Sequence, residues 1–264
     1  MTHQQIIDKL AAGKLVQSID EDLIRLIEEF VSAKNKSTTE KTEIIISKLL
    51  PRWNCVLGNN SENISMQYKQ KTYLVLAVLL HKYGFQYAPL TTNALKAIDQ
   101  LNEEVVLNDD FFRKSEDIKA FLKTEPITLK RKPARPENIT FYREKDVVSI
   151  QIGEHYYGAY ITELTASNEI PVIEFYDKIF DKIPDMEELS QRKAKGVVAN
   201  DGKEYISKYA VAGMKFLPDF ANQIHLISAS EKEPPSEKHL QKSIGLYAYT
   251  DLLELPSITK RLFV

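Results

Sequence analysis

The feature that most constrains this chain is a change of hydrophobic period across a proline-rich boundary. Between Lys123 and Glu137 the sequence holds Pro126, Pro133 and Pro136, together with Lys130, Arg131, Lys132 and Arg135. Prolines at that spacing block helix propagation, and the like charges oppose packing. Before the boundary, apolar residues recur with a period of about 3.6; after it they alternate with a period of about 2. The fold class that follows is α+β, an N-terminal helical bundle followed by a mainly antiparallel β domain. The expected division is a helical domain over 1–122, a proline-rich basic linker over 123–137 and a β-rich domain over 138–264. Within the linker, Ile127–Leu129 reads as a short strand. A length of 264 residues, 43% of them hydrophobic, supports such cores without disulfides or a metal.

In the first half, Ser18-Ile19-Asp20-Glu21 reads as a capping box that starts a helix. Behind it Ile19, Leu23, Ile24, Ile27, Phe30 and Val31 form one apolar face. A second helix is expected over Thr39–Leu50, stopped by Pro51. The third, Gln67–Tyr83, is apolar nearly all round from Tyr73 to Leu80, which predicts the central helix of the bundle, ended by Gly84. Helices over Thr92–Glu104 and Asp109–Lys123 follow, the latter capped by Asn108.

In the second half, the strand-like runs Val147–Ile152, His155–Leu164 and Val172–Tyr176 predict an antiparallel meander. Gly153-Glu154 supplies its first turn, as a two-residue type II′ hairpin. A short helix is expected within Asp185–Lys195. Weaker strands are expected near Tyr205–Met214, Gln223–Ser228 and Gly245–Tyr249, with a solvated loop at Glu231–Ser236.

Local chemistry motifs are absent from the sequence. There is no phosphate-cradling glycine motif and no nucleophile elbow, and the five histidines stand far apart. No catalytic residue, cofactor or metal ligand is predicted. The single Cys55 suits a reducing compartment and reads as a buried small apolar residue rather than a nucleophile. The first residues carry no secretory pattern, and no apolar run approaches the ~20 residues of a membrane span, so a cytoplasmic protein without a membrane partner is expected. A formal net charge of -2 argues against a dedicated nucleic-acid binder. Lys130-Arg131-Lys132 reads as solvated linker more readily than as an anion contact.

The densest unusual feature is aromatic: Tyr156, Tyr157, Tyr160, Phe175, Tyr176 and Phe180 within one short region. Alternation places Tyr156 and Tyr160 on one face of the strand and Tyr157 on the other. If one face is core, the other shows tyrosine beside acids, a composition typical of binding hot spots, or else the tyrosines only cover the sheet. The predicted partner-binding residues are Tyr157, Glu163, Glu174 and Asp177.

The stretch Lys145–Pro184 resembles the β-rich domain of a group of bacterial polymorphic-toxin immunity proteins. The resemblance rests on Lys145-Asp146-Val147-Val148, on Tyr156-Tyr157-Gly158-Ala159-Tyr160-Ile161 and on Val172-Ile173-Glu174-Phe175-Tyr176-Asp177. Gln151 departs from the pattern, where that group often has proline. The resemblance implies a protein that binds and neutralises one cognate toxin by steric occlusion, with no catalytic residues. Acidic patches meeting a basic toxin surface would speed that encounter. Two other readings stay open: an enzyme with a dispersed carboxylate site between the two halves, and a nucleic-acid-associated regulator using the basic linker. Neither the oligomeric state nor the toxin's identity is legible.

Overall fold

The computed structural model describes residues 1–31, 36–59, 63–129, 131–136, 139–165, 169–243 and 245–263. It is α+β, and the chain divides into two compact units. One comprises Met1–Leu50 and Val56–Pro136; the other comprises Pro51–Cys55 and Glu137–Val264.

The first unit is helical: α1 (His3–Lys9), α2 (Gly13–Val31), α3 (Thr38–Leu57), α4 (Met66–Lys82), α5 (Ala88–Glu103) and α6 (Asp109–Leu122). Every residue from Leu74 to His81 is buried, and α4 packs against α1, α2, α5 and α6, so it is the central helix its sequence predicts. Asn108 caps α6 by accepting from the Phe111 N–H at 3.0 Å. Three boundaries differ from expectation: α5 begins at Ala88, one turn before Thr92, with Pro89 in its first turn, and the other two concern α2 and α3. Ser18 does not start a helix; it lies inside α2 and is buried, because Leu15 extends the apolar stripe one turn further back. Pro51 does not stop α3, which runs on to Leu57. A proline inside a helix costs about 3 kcal/mol. Full burial of Trp53 and Val56, together with the bonds of Arg52, offsets that cost. The short α1 carries no strong sequence signal and was not expected. The linker segment Ile127–Leu129 forms no strand; Lys130 and the Phe30 and Val31 side chains lie outside the described residues.

The second unit is built on a six-stranded sheet of β1 (Val147–Ile152), β2 (His155–Leu164), β3 (Pro171–Phe180), β6 (Lys208–Ala212), β7 (Ile224–Ser228) and β8 (Ala248–Asp251). The strand order is β7-β1-β2-β3-β6-β8. All neighbours are antiparallel except β6 and β8, which run parallel. A helical turn α7 (Met186–Ser190) and a small hairpin of β4 (Val197–Val198) and β5 (Glu204–Tyr205) follow β3. The chain ends in α8 (Leu255–Leu262). Ile152 pairs with His155 across Gly153-Glu154, and Gly153 takes φ +63°, so the predicted hairpin turn is present.

Both faces of the sheet's central strands are covered. One carries Val148, Ile150, Tyr157, Ile161, Ile173 and Phe175 against Leu255, Ile258 and Leu262 of α8. The other carries Val147, Tyr160, Tyr176 and Phe180 against Leu189 of α7. Gly158 permits that approach, since a Cβ there would lie 2.6 Å from the Leu189 side chain.

Candidate functional site

The expected outward face of tyrosines is therefore not there. Tyr157 is 7% exposed, with its ring 5.0 Å from Phe263 and 6.4 Å from Phe175. The sequence reading counted one core face, and the unread helix α8 supplies the second. Glu174 is also buried, at 1% exposure. Glu163 and Asp177 are exposed. Of these four, only Glu174 lines the groove described next.

Glu174 stands out because it is an ionisable residue inside the apolar run of β3. Register places it opposite Tyr160 of β2 and opposite Lys208 of β6, so the three share a row across adjacent strands. Over this row passes the segment that follows β7. Its start is held by the Glu231 N–H, which bonds the Lys145 carbonyl at 2.8 Å, and by the Tyr160 hydroxyl, which donates to the Glu231 carbonyl at 3.0 Å. Lys145, in the turn before β1, adopts φ +71°, an uncommon conformation for a side-chain-bearing residue. Further on, the Ala194 N–H bonds the Ser236 carbonyl at 3.2 Å, and the Gln241 N–H bonds the Glu204 carbonyl at 2.8 Å. The segment is thus pinned at both ends and roofs an open groove of about 860 Å³.

At the groove floor the Lys208 ammonium meets Glu237 Oε1 at 2.8 Å. Burial pushes the Glu174 carboxyl up to about 8; Lys208 opposes this, while the Glu237 charge and its hydrogen bond to Glu174 add to it. Glu174 is consequently neutral near pH 7 and donates to the Glu237 carboxylate. Burial works against that carboxylate too, but the bonds from Lys208 and Glu174 outweigh it and hold Glu237 below its ordinary value. Glu174 Oε1 is buried with no hydrogen-bond partner among the described residues. Five lysines line the groove, Lys145, Lys208, Lys232, Lys238 and Lys242, against three glutamates, of which Glu174 is the neutral one. In a chain of net charge -2, this is a local concentration of positive charge.

Other candidates are less equipped. Cys55 is 3% exposed, and burial pushes its thiol up to about 12, which removes the thiolate at neutral pH. In the helical unit, His3 Nε2 and His81 Nδ1 lie 2.8 Å apart, and burial followed by the charges of His81 and Lys82 lowers His3 to about 4. Among the described residues no group of three or more His, Cys, Asp or Glu is placed to hold a metal ion. No described helix is long and apolar enough to cross a membrane. Glu174 was legible in the sequence as an acid in an apolar strand. Lys208 and Glu237 were not, since strand register and a distant loop bring them to it.

Comparison with protein-family models, with curated proteins and with solved structures found no match.

Proposed function

We propose that the chain is a cytoplasmic binding protein of the immunity kind, which neutralises a cognate bacterial toxin by covering it. The lysine-lined groove of the β unit is its docking surface, seated on an acidic part of the toxin. The observation that carries this reading is the excess of lysines over ionised glutamates in an open groove, which Glu174 sharpens by staying neutral. Further support comes from the resemblance of residues 145–184 to immunity proteins, since that stretch supplies two strands of the groove floor. The charge relation is the reverse of the one expected from sequence: cations here meet acids on the partner. A groove of one sign steers an oppositely charged surface and raises the encounter rate. The test is co-expression with the toxin encoded beside this gene. Cells carrying the parent chain should survive. Those carrying folded Lys232→Glu/Lys238→Glu/Lys242→Glu should lose protection, and undiminished protection by that variant sinks the proposal.

One observation favours a second reading, an enzyme. A neutral carboxyl hydrogen-bonded to a carboxylate is an arrangement used for proton transfer. Its place is then inside the β unit, not between the halves. Under this reading turnover of a small substrate disappears in Glu174→Gln, whereas toxin neutralisation by a binder survives that substitution.

A further inference from the structure

We propose that the outer edge of β8 accepts an extended segment of the partner as an added β-strand, with acidic residues of that segment reaching the lysine groove. The inference rests on the binding function proposed above and adds the mode of recognition. β8 is the last strand of the sheet, and among the described residues it pairs with β6 alone. A strand so placed turns half of its backbone N–H and C=O groups away from its neighbour, a template for another chain. Successive strand residues point to opposite faces, yet Ala248 and Tyr249 are both exposed, so neither face is covered here. β3, two strands inward, is buried on both faces over Pro171–Tyr176.

Exposed apolar surface gathers at the same place. Leu246 is 83%, Tyr247 40% and Tyr249 59% exposed. Edge strands are ordinarily guarded by a lysine, a proline or a bulge. Ala248–Asp251 has no lysine or proline; its one charged side chain, Asp251, stands at the end of the strand and accepts from the Leu253 N–H at 2.9 Å, and the register with β6 runs without a shift. The opposite edge strand, β7, joins β1 through a shift at Val147/Val148. The open edge is therefore particular to one end of the sheet.

Charge selects the occupant. A hollow of about 220 Å³ beside β8, lined by Val197, Leu246, Tyr247 and Ala248, also contains Ile206 and Lys208, and both of these line the lysine groove as well. A segment lying along β8 with apolar side chains toward this hollow continues into positive charge. The occupant is accordingly an extended protein segment of alternating apolar residues flanked by acids. Main-chain bonds give such a segment affinity, and the hollow and the lysines give it selectivity.

The test uses the full chain and a fluorescent synthetic peptide in which a run of glutamates adjoins alternating valine and threonine. Binding is read by anisotropy, and hydrogen exchange is followed over Gly245–Asp251. The expected result is salt-sensitive binding, slowed exchange of the β8 amides, and a loss of roughly tenfold or more in affinity for Leu246→Ser/Tyr249→Thr. Binding with unprotected β8 amides, abolished by Lys238→Glu/Lys242→Glu, overturns strand addition and leaves the groove standing. Protected β8 amides with no effect of those lysine reversals support strand addition and refute the groove. Equal affinity for a peptide carrying lysines instead of glutamates, or for single-stranded DNA, overturns the stated occupant. So does a dimer of this chain in sedimentation that Leu246→Ser/Tyr249→Thr dissolves. Absence of binding overturns the proposal outright.

Discussion

The two units treat buried polar groups differently. In the helical unit Ser115 bonds Asn102 and the Phe111 carbonyl, and His81 bonds His3 and the Thr124 carbonyl, while Gln70 Oε1 is buried without a hydrogen-bond partner among the described residues. In the β unit Tyr142 Oη, Ser149 Oγ, Gln151 Oε1, Glu174 Oε1 and Arg192 Nε are buried without a hydrogen-bond partner among the described residues. Each such atom costs about 1–3 kcal/mol. Costs of this kind gather where structure serves something other than stability. The larger number of such atoms in the β unit supports placing the proposed working surface there.

The largest expected effect sets a buried ion pair of the β unit against a wetter one of the helical unit. Arg52 and Asp219 meet at 2.7 Å with side chains 3% exposed, and the Asp219 carboxylate also accepts from the Gln223 and Ile224 N–H groups. Arg52→Ala strands a buried carboxylate and should cost ~3–5 kcal/mol in urea unfolding. Lys82 and Asp20, at 37% and 26% exposure, are wetter, and Lys82→Ala should cost less than ~1 kcal/mol. Comparable losses would break the comparison.

Next in size is the cost of Glu174. Its folded-state value of about 8 lies above the ordinary 4.5, so the native protein holds a proton that the unfolded chain releases. Stability contributed by that proton is complete below 4.5 and is lost as pH rises toward 8. Glu174→Gln keeps the shape without the titration. Its Tm should match the parent's near pH 4 and exceed it increasingly up to pH 8. A parent Tm that stays higher at pH 8 contradicts a neutral, costly Glu174.

The smallest effect belongs to the helical unit. His3 is lowered from 6.5 to about 4, so the unfolded chain takes up a proton that the native state resists. Stability is complete above 6.5 and falls as pH drops toward 4. His3→Phe keeps a ring against Phe121 and should flatten that acid slope in thermal melts across this range. An unchanged slope would place acid sensitivity elsewhere.

Much of the fold was legible because local and tertiary demands agree. The all-round apolar run of α4, the Asn108 cap and the Gly153 turn each state one answer. Where they disagree, packing wins: Trp53 and Val56 carry α3 through Pro51, and Ser18 is absorbed into a longer helix. The parallel pairing of β8 with β6 and the docking of α8 depend on contacts distant in sequence, which no local period records. The same holds for the site. Glu174 is conspicuous as an acid within Pro171–Tyr176, but a one-face reading of β2 put Tyr157 outside, and nothing local links Glu237 or Lys208 to it.

The central claim, that lysines of the β-unit groove dock an acidic partner surface, is tested most directly by the salt dependence of the association rate. With the toxin encoded beside this gene as the proposed partner, the rate is measured by stopped flow for the parent chain and for Lys232→Glu/Lys238→Glu/Lys242→Glu. Steered association predicts a parent rate that falls steeply with added salt and a variant rate at least ~tenfold slower at low salt, the two converging as screening becomes complete. Equal rates with the same flat salt dependence would contradict the account.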